Sequence, residues 1–359
     1  MRIPEVFAPY AENILAALEP EKITRLGADY YLIKIAQPKL LQQSPYRLFI
    51  SWKLPVQHSW PCNPQKMEGF IEKAARTLAG KFAGQQPQTI LVGQLQPHPP
   101  NQYFKNLASS LRGRLLQIWA EEAAFATGDE TEPSDFTAEK QDSNRASLFC
   151  LIGREGLFAG VATPRETDGF HAGGSKFIKQ EEGQTISRAG AKLAEALHYL
   201  KLYRAEIPTG SRWLELGASP GGMTSELLAR GYKVTAVDRA PLDQRLNGKP
   251  GLSYVKSDAA SFSPPASFRY EAILSDLNGS PVDAIKAVTH LTEYLHDKGV
   301  VIFTLKAPGA EDPDAILELL DAVTTTAQHH DLFLLAARHL TYNRHEFTLF
   351  FEKRDTQSA

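Results

Sequence analysis

Two lysines and two acids, Lys192, Asp276, Lys306 and Glu346, are the side chains of this sequence whose types suit one reaction. An ammonium whose pKa is lowered by partial burial can lose its proton and act as general base, while a second cation and two carboxylates orient it and balance its charge. The group such a cluster suits is a weakly acidic alcohol. Lys306 in "TLKAPG" is expected to be the base or hydroxyl activator, Asp276 in "SDLN" its orienting partner, and Lys192 in "SRAGAKL" and Glu346 in "RHEF" supporting residues that place the hydroxyl. Placement is the larger effect, up to about 7–11 kcal/mol, against roughly 10²–10⁴-fold from proton transfer. Each of the four alone also reads as a surface salt-bridge former. Their convergence is what points to chemistry.

From Gly210 onward the sequence supplies elements that would bring them together. "RWLELG", "KVTAVD", "YEAILSDL" and "VVIFTLK" have the short β-branched or leucine-rich character of strands. Between them "GMTSELLARG", closed by Gly231, and "PVDAIKAVTHLTEYLHDKG" read as helices, and "DPDAILELLDAVTTTAQ" as another, with Asp312 a candidate N-cap before Pro313. "LFLLAARHLTYNRHEFTLFFEK" closes as two strand-like runs around a turn. The alternation predicts an α/β fold with a doubly wound, mostly parallel sheet and an antiparallel final strand. Ligands bind such sheets outside the carboxyl ends of the parallel strands. Asp276 and Lys306 fall at that mouth, and so does Glu346, at the start of a strand running the other way. Lys192, on a helix with Leu193, Ala196, Leu197 and Leu200 as its apolar face, has only to lie across the opening.

The loop "GASPGG" followed by Met223 joins the first strand of this region to its helix. Gly217, Gly221 and Gly222 allow close backbone approach and positive φ, with Ala218, Ser219 and Pro220 between them. Asp238 ends the next strand about 20 residues on, where an acid can take both hydroxyls of a ribose, and Asp258 in "YVKSDAA" stands where the following strand should end and can reach an adenine amino group. The bland alternative for either acid is a strand-end cap. Together with the loop they indicate a nucleoside cofactor. The spacing is not the GxGxxG that holds a pyrophosphate, which argues against a dehydrogenase and for S-adenosylmethionine, a cofactor without phosphate; Asp276 is counted in this cofactor set as well.

The rest of the 359 residues bounds the answer. With 43% hydrophobic residues, 22% charged ones and a formal charge of -2, the chain is long enough for two or three domains, and any nucleic-acid surface must be a local patch. Cys62 and Cys150 lack the clustering of a disulfide framework or a metal site; no metal is expected. The opening "MRIPEVFAPYAEN" has no leader pattern and no apolar run reaches the roughly 18 residues of a membrane span, so no membrane partner is expected and the cytoplasm is the default compartment. Residues 1–86 carry helical stretches in "YAENILAALEP" and "KMEGFIEKAARTLAGKF" and strand-like ones in "YYLIKIA" and "YRLFISWKL"; residues 87–180 carry "TILVGQL", the helix "FKNLASSLRGRLLQIWAEEAAFA", an acidic loop, and a hairpin turning at Arg154, Glu155 and Gly156. Both read as small α+β modules, followed by the larger domain at 181–359.

The motifs "SRAGAKL", "GASPGG", "SDLN", "TLKAPG" and "RHEF" resemble those of the FtsJ-like RNA 2′-O-methyltransferases over roughly residues 185–353. The resemblance implies a Rossmann-like methyltransferase sheet, S-adenosylmethionine as cofactor, and methyl transfer to a ribose 2′-hydroxyl of RNA through Lys192, Asp276, Lys306 and Glu346. "FAPYAENILAALE", "LRGRLLQIW" and "FCLIGREGLFAGVAT" are similar to the large-subunit ribosomal RNA cytidine 2′-O-methyltransferase M group within that family. There a ferredoxin-like unit and an RNA-binding THUMP domain precede catalysis, and the similarity implies 23S rRNA or a large-subunit precursor as partner, with no DNA. Two departures bear on substrate fit: Met223 stands where the family has an aromatic residue, and "SDLNGSP" replaces its Asp-Met-x-Pro run. Arg112 and Arg114, Lys176 and Lys179, and Arg188, Arg338 and Arg344 are candidates for phosphate contacts, and Tyr342 or His345 for stacking on a base. Two alternatives stand beside this reading. One is a non-catalytic RNA-binding or ribosome-assembly protein, which would be expected to lack a member of the tetrad; the other is the hemolysin-like rRNA methyltransferase group, which shares the "SRAG" helix but has a compact basic N-terminal module.

Overall fold

The computed structural model describes residues 1–95, 101–127, 140–174, 186–307, 312–341, 343 and 345–355, without the side chains of 122–127. Lys176, Lys179, Tyr342, Arg344 and most of the acidic loop lie outside the described residues. The chain forms two units, Met1–Lys176 and Phe177–Ala359.

In the first unit, α1 (Ala11–Ala16) precedes the antiparallel pair β1 (Pro20–Leu26) and β2 (Tyr30–Ile35), followed by α2 (Lys39–Gln43), β3 (His58–Trp60), α3 (Phe70–Phe82), β4 (Ile90–Gln94), α4 (Gln102–Thr127), β5 (Ser147–Gly153), β6 (Gly156–Ala162) and α5 (Pro164–Thr167). A second sheet has the order β3-β6-β5-β4, in which only β4 and β5 are parallel. One face packs on the helices, where Ala74, Leu78 and Phe82 of α3 and Leu111 and Leu115 of α4 meet Ile90, Cys150 and Ile152. The other face sets Leu91, Phe149, Leu151 and Phe158 against Leu26, Tyr30 and Trp52. With both faces covered, β5 is apolar and buried throughout instead of alternating. Gly156 turns the β5–β6 hairpin at φ 124°, and a Cβ there would lie 2.2 Å from the Trp60 carbonyl.

Two expectations change here. Residues 58–82, grouped by sequence with the first module, contribute β3 and α3 to the same sheet and core as residues 90–162, so a boundary at position 86 would divide one core. "YRLFISWKL" does not form a strand; Pro45–Phe49 is a 3-10 turn whose Ser44 side chain accepts from the Tyr46 amide. Leu48, Phe49 and Ile50 are buried within this turn and just after it.

The second unit contains α6 (Ala189–Leu200), β7 (Arg212–Leu216), α7 (Gly222–Ala229), β8 (Lys233–Asp238), β9 (Leu252–Lys256), β10 (Tyr270–Ser275), α8 (Pro281–Thr289), β11 (Leu295–Lys306), α9 (Pro313–Gln328), β12 (Leu332–Arg338) and β13 (Glu346–Lys353). Its seven strands run in the order β12-β13-β11-β10-β7-β8-β9. The five from β11 to β9 are parallel, while β13 lies antiparallel to both neighbours. The sheet is therefore Rossmann-like and mixed. Strand order reverses between β7 and β10, which opens a crevice beyond their carboxyl ends. Asp312 caps α9 by accepting from the Asp314 amide. The helix expected to run to Gly299 stops at Thr289, because Leu295 is buried and paired with Tyr270, and β11 then shifts register before Val300 meets Ala272. Among the described residues no helix is long and apolar enough to cross a membrane.

Candidate active site

The glycine loop takes its shape from backbone packing. Gly217 has φ 79°, and a Cβ on it would lie 3.0 Å from the Asp276 carbonyl oxygen, so the end of β7 touches the end of β10 only if this residue has no side chain. A Cβ on Gly222 would lie 2.0 Å from Ser187 Oγ, and one on Gly190 would lie 2.9 Å from the Gly222 carbonyl. The "SRAG" segment is thus seated directly on the loop. This contact fixes the start of α6, and with it Lys192 one turn further along.

Beside the loop is a cavity of about 350 Å³, lined among others by Gly217, Asp238, Arg239, Asp258, Leu277 and Asn278; its size is that of a small-molecule site. Asp238 shapes it from one side. Its Oδ2 accepts from the Ser219 amide at 2.9 Å and its Oδ1 from the Ala240 amide at 2.8 Å, which leaves each carboxylate oxygen with further acceptor capacity. Asp258 caps a short turn, accepting from the Ala260 amide at 2.9 Å, and stands 3.4 Å from the Arg239 guanidinium. It is both a strand-end cap and a cavity wall. Ala218, Ser219, Pro220, Gly221, Gly222, Met223 and Asp276 are not in the lining of this cavity; Ala218 and Met223 are buried in the loop and the first turn of α7.

The four charged residues come together in two ion pairs. Lys192 Nζ donates to Glu346 Oε1, and Lys306 Nζ lies 3.1 Å from Asp276 Oδ1. Lys306 and Glu346 are directly opposite in the β11–β13 ladder, and the charge on Lys192 is influenced by both Asp276 and Lys306. All four side chains are between 16% and 22% exposed, enclosed enough to interact strongly yet open to a ligand. Burial, the largest influence, holds the Lys192 ammonium below the ordinary lysine range; Asp276 opposes this, and Lys306 and Arg188 reinforce it. Lys306 has a third oxygen group around it, since its Nζ also donates to Asn278 Oδ1 at 2.6 Å and to the Asp276 carbonyl at 3.4 Å.

Several residues that sequence reasoning passes over hold this arrangement in place. Glu195, 1% exposed, accepts from the Thr341 amide and from Thr341 Oγ1 at 2.8 Å, tying α6 to the β12–β13 connection one turn from Lys192. Its signal was an acid within the apolar part of "KLAEALHYL"; the structure buries Ala194, Glu195, His198 and Tyr199 along with the expected apolar face. Glu215 on β7 is 2% exposed and accepts from Thr224 Oγ1 at 2.7 Å. Burial first, with Asp276 and Asp238 adding to it, raises its carboxyl to about 8. Some candidate RNA contacts are otherwise employed. Arg338 is 5% exposed, its guanidinium 4.5 Å above the Tyr199 ring. Arg112 donates to the Ile90 carbonyl and Arg114 pairs with Glu72.

A cavity of small-molecule size at the switch point of a Rossmann-like sheet, beside paired lysines and carboxylates, defines a Rossmann-like domain with a candidate small-molecule site. Residues 185–327 match the family model described as FtsJ-like methyltransferase. The chain is 34% identical over 168 residues to the ribosomal RNA large subunit methyltransferase M of Halorhodospira halophila, covering 46% of each protein. With the protein of the same name from Shewanella woodyi it shares 23% identity over 231 residues, 61% of this chain and 62% of that one. The chain thus spans about half to three fifths of the length of these relatives. Among solved structures, a fibrillarin of Aeropyrum pernix in complex with S-adenosyl-L-methionine aligns with a TM-score of 0.35 and 14% identity, over 57% of this chain and 82% of that one.

Proposed function

We propose that the protein transfers a methyl group from S-adenosylmethionine to a ribose 2′-hydroxyl of RNA, with 23S rRNA or a large-subunit precursor as substrate. The observation that carries this reading is the placing of the two lysine–carboxylate pairs beside a nucleoside-sized cavity. The cavity fits the cofactor: Gly217 leaves backbone space, Asp238 and Asp258 offer acceptors for ribose hydroxyls and an adenine amine, and the one lining arginine, Arg239, stands against Asp258 instead of forming a phosphate nest. When bound, the cofactor supplies an electrophilic methyl on a sulfonium. The chain's own task is to present a hydroxyl oxygen. In our reading Lys306, steadied by Asp276, holds and activates that hydroxyl, while the Lys192–Glu346 pair confines it from the other side. Orientation contributes most of the effect, as expected when the acceptor is a poor acid. A second assignment, with Lys192 as the proton acceptor, is favoured by the lowering of its ammonium by burial.

The substrate class follows the relatives. The alignment to the Shewanella woodyi protein is longer than the second unit of this chain, so the similarity enters the first unit, which we read as the RNA-contacting part with ferredoxin-like and THUMP-like character. The test is transfer from tritiated S-adenosylmethionine to total RNA, and to ribosomal particles, from cells lacking the protein, followed by nucleoside analysis. Label in a 2′-O-methylnucleoside is expected. Lys306→Ala should abolish it with cofactor affinity nearly intact; cofactor binding without transfer to any RNA would favour a non-catalytic assembly role.

A further inference from the structure

Asn278 occupies a place that no role yet explains. It follows β10 in "SDLNGSP", where the sequence departs from the run of its resembled family, and it belongs at once to two neighbourhoods: its Oδ1 accepts from Lys306 Nζ at 2.6 Å, and the residue lines the cavity together with Asp238 and Asp258. A lysine ammonium only donates, so the atom facing it must be the amide oxygen. The planar carboxamide then turns its NH₂ end away from Lys306. Among the described residues that NH₂ group has no protein partner. The bond to Lys306 is shorter than the separation of Lys306 from Asp276, and bonds from a charged donor are the stronger class. Asn278 therefore acts alongside Asp276 in deciding where the ammonium sits.

We infer that Asn278 is a positioning residue with two working ends, its carboxamide oxygen fixing the Lys306 ammonium and its NH₂ donating to an acceptor atom of the nucleoside held in the cavity. This rests on the methyltransfer reading above. One planar group then links occupancy of the cavity to the location of the hydroxyl-activating lysine: a ligand that engages the NH₂ fixes the plane of the amide, and the oxygen at its other end fixes Nζ. Asp276 lacks this property, because it is not part of the cavity lining and a carboxylate has no donor.

Two substitutions separate the ends. Asn278→Asp retains an oxygen for Lys306 but replaces the donor with an acceptor; Asn278→Leu keeps nearly the same shape and supplies neither. Because the side chain is exposed, both variants are expected to fold, which their unfolding midpoints would verify. Measured with S-adenosylmethionine as the varied substrate, N278D is expected to keep kcat within about threefold of the unaltered protein while its KM rises about tenfold, the effect of one lost hydrogen bond. N278L is expected to raise KM similarly and to lower kcat about tenfold as well. Equal kcat and KM in N278L and the unaltered protein would overturn the inference. A kcat for N278D as low as that of N278L would overturn the role of the oxygen, and an unchanged KM in N278D the role of the amide. If the unaltered protein transfers no methyl group and binds no S-adenosylmethionine, the activity reading itself is overturned and this inference with it.

Discussion

Replacing Glu215 with glutamine should alter how the stability of the protein depends on pH. Glu215 is fully enclosed on β7, and burial raises its carboxyl from the ordinary 4.5 to about 8, with Asp276 and Asp238 pushing the same way and the Thr224 hydrogen bond opposing. The folded chain therefore keeps a proton that the unfolded chain has released. Below about pH 4.5 both states hold it and the contribution to stability is complete. As pH rises, the unfolded state loses its proton first, and stability falls until the folded state follows near pH 8. At about 1.36 kcal/mol for each tenfold change in proton affinity, the rise to about 8 corresponds to roughly 5 kcal/mol lost across that window. Glutamine keeps an oxygen for the Thr224 hydroxyl and has nothing to titrate. Urea unfolding followed by tryptophan emission suits the comparison: Trp213 lies beside Glu215 on β7, and Trp52, Trp60 and Trp119 of the first unit contribute alike to both proteins. The stability of E215Q relative to the unaltered protein should climb by several kcal/mol from pH 4.5 to 8 and then level off. Parallel curves through that window would refute the assignment of a proton to this buried acid.

Two further outcomes follow from the geometry. Gly190→Ala places a Cβ 2.9 Å from the Gly222 carbonyl oxygen, a backbone atom, so overpacking should destabilise the second unit by about 1–3 kcal/mol; a calorimetric scan with an unchanged transition would show that the loop and "SRAG" are not in contact. Arg338→Ala should lower the melting temperature through its lost packing on Tyr199 while leaving the salt dependence of the proposed RNA binding unaltered, and a reduced salt slope would make Arg338 a phosphate contact after all.

The second unit was legible from sequence because its information is local and periodic. The strands β7, β8 and β10 and the second half of β11 carry short apolar runs, and the switch-point rule then places Asp276 and Lys306 without knowledge of any contact. The hairpin that brings Glu346 opposite Lys306 follows from two apolar runs around "TYNRH". The parts that were not legible depend on long-range packing. Nothing local distinguishes the buried Glu215 from a solvated strand acid, and Glu195 carries only its place within an apolar helix segment; their partners Thr224 and Thr341 are supplied by other elements. Arg338 looks like a basic residue near the mouth until Tyr199 is seen beneath it. In the first unit, β3 has only three residues, too few to show an alternation, so a division at residue 86 looked natural although the sheet continues across it. The proposed RNA substrate lies further still from sequence, since the arginines considered for phosphate contact on α4 are engaged with Ile90 and Glu72.

The Lys192–Glu346 pair has a consequence for synthesis. Its partners are 154 positions apart, on the first helix and the last strand described in their unit. A nascent chain that has emerged as far as β11 already possesses Gly217, Asp238, Asp258 and Asn278, and so the walls of the cavity, but Lys192 still lacks its carboxylate. The cavity and the Lys192–Glu346 pair are thus completed at different times during translation. On the proposed methyltransfer reading, a product truncated before residue 346 would keep the cavity walls and the Lys306–Asp276 pair but leave Lys192 without its carboxylate.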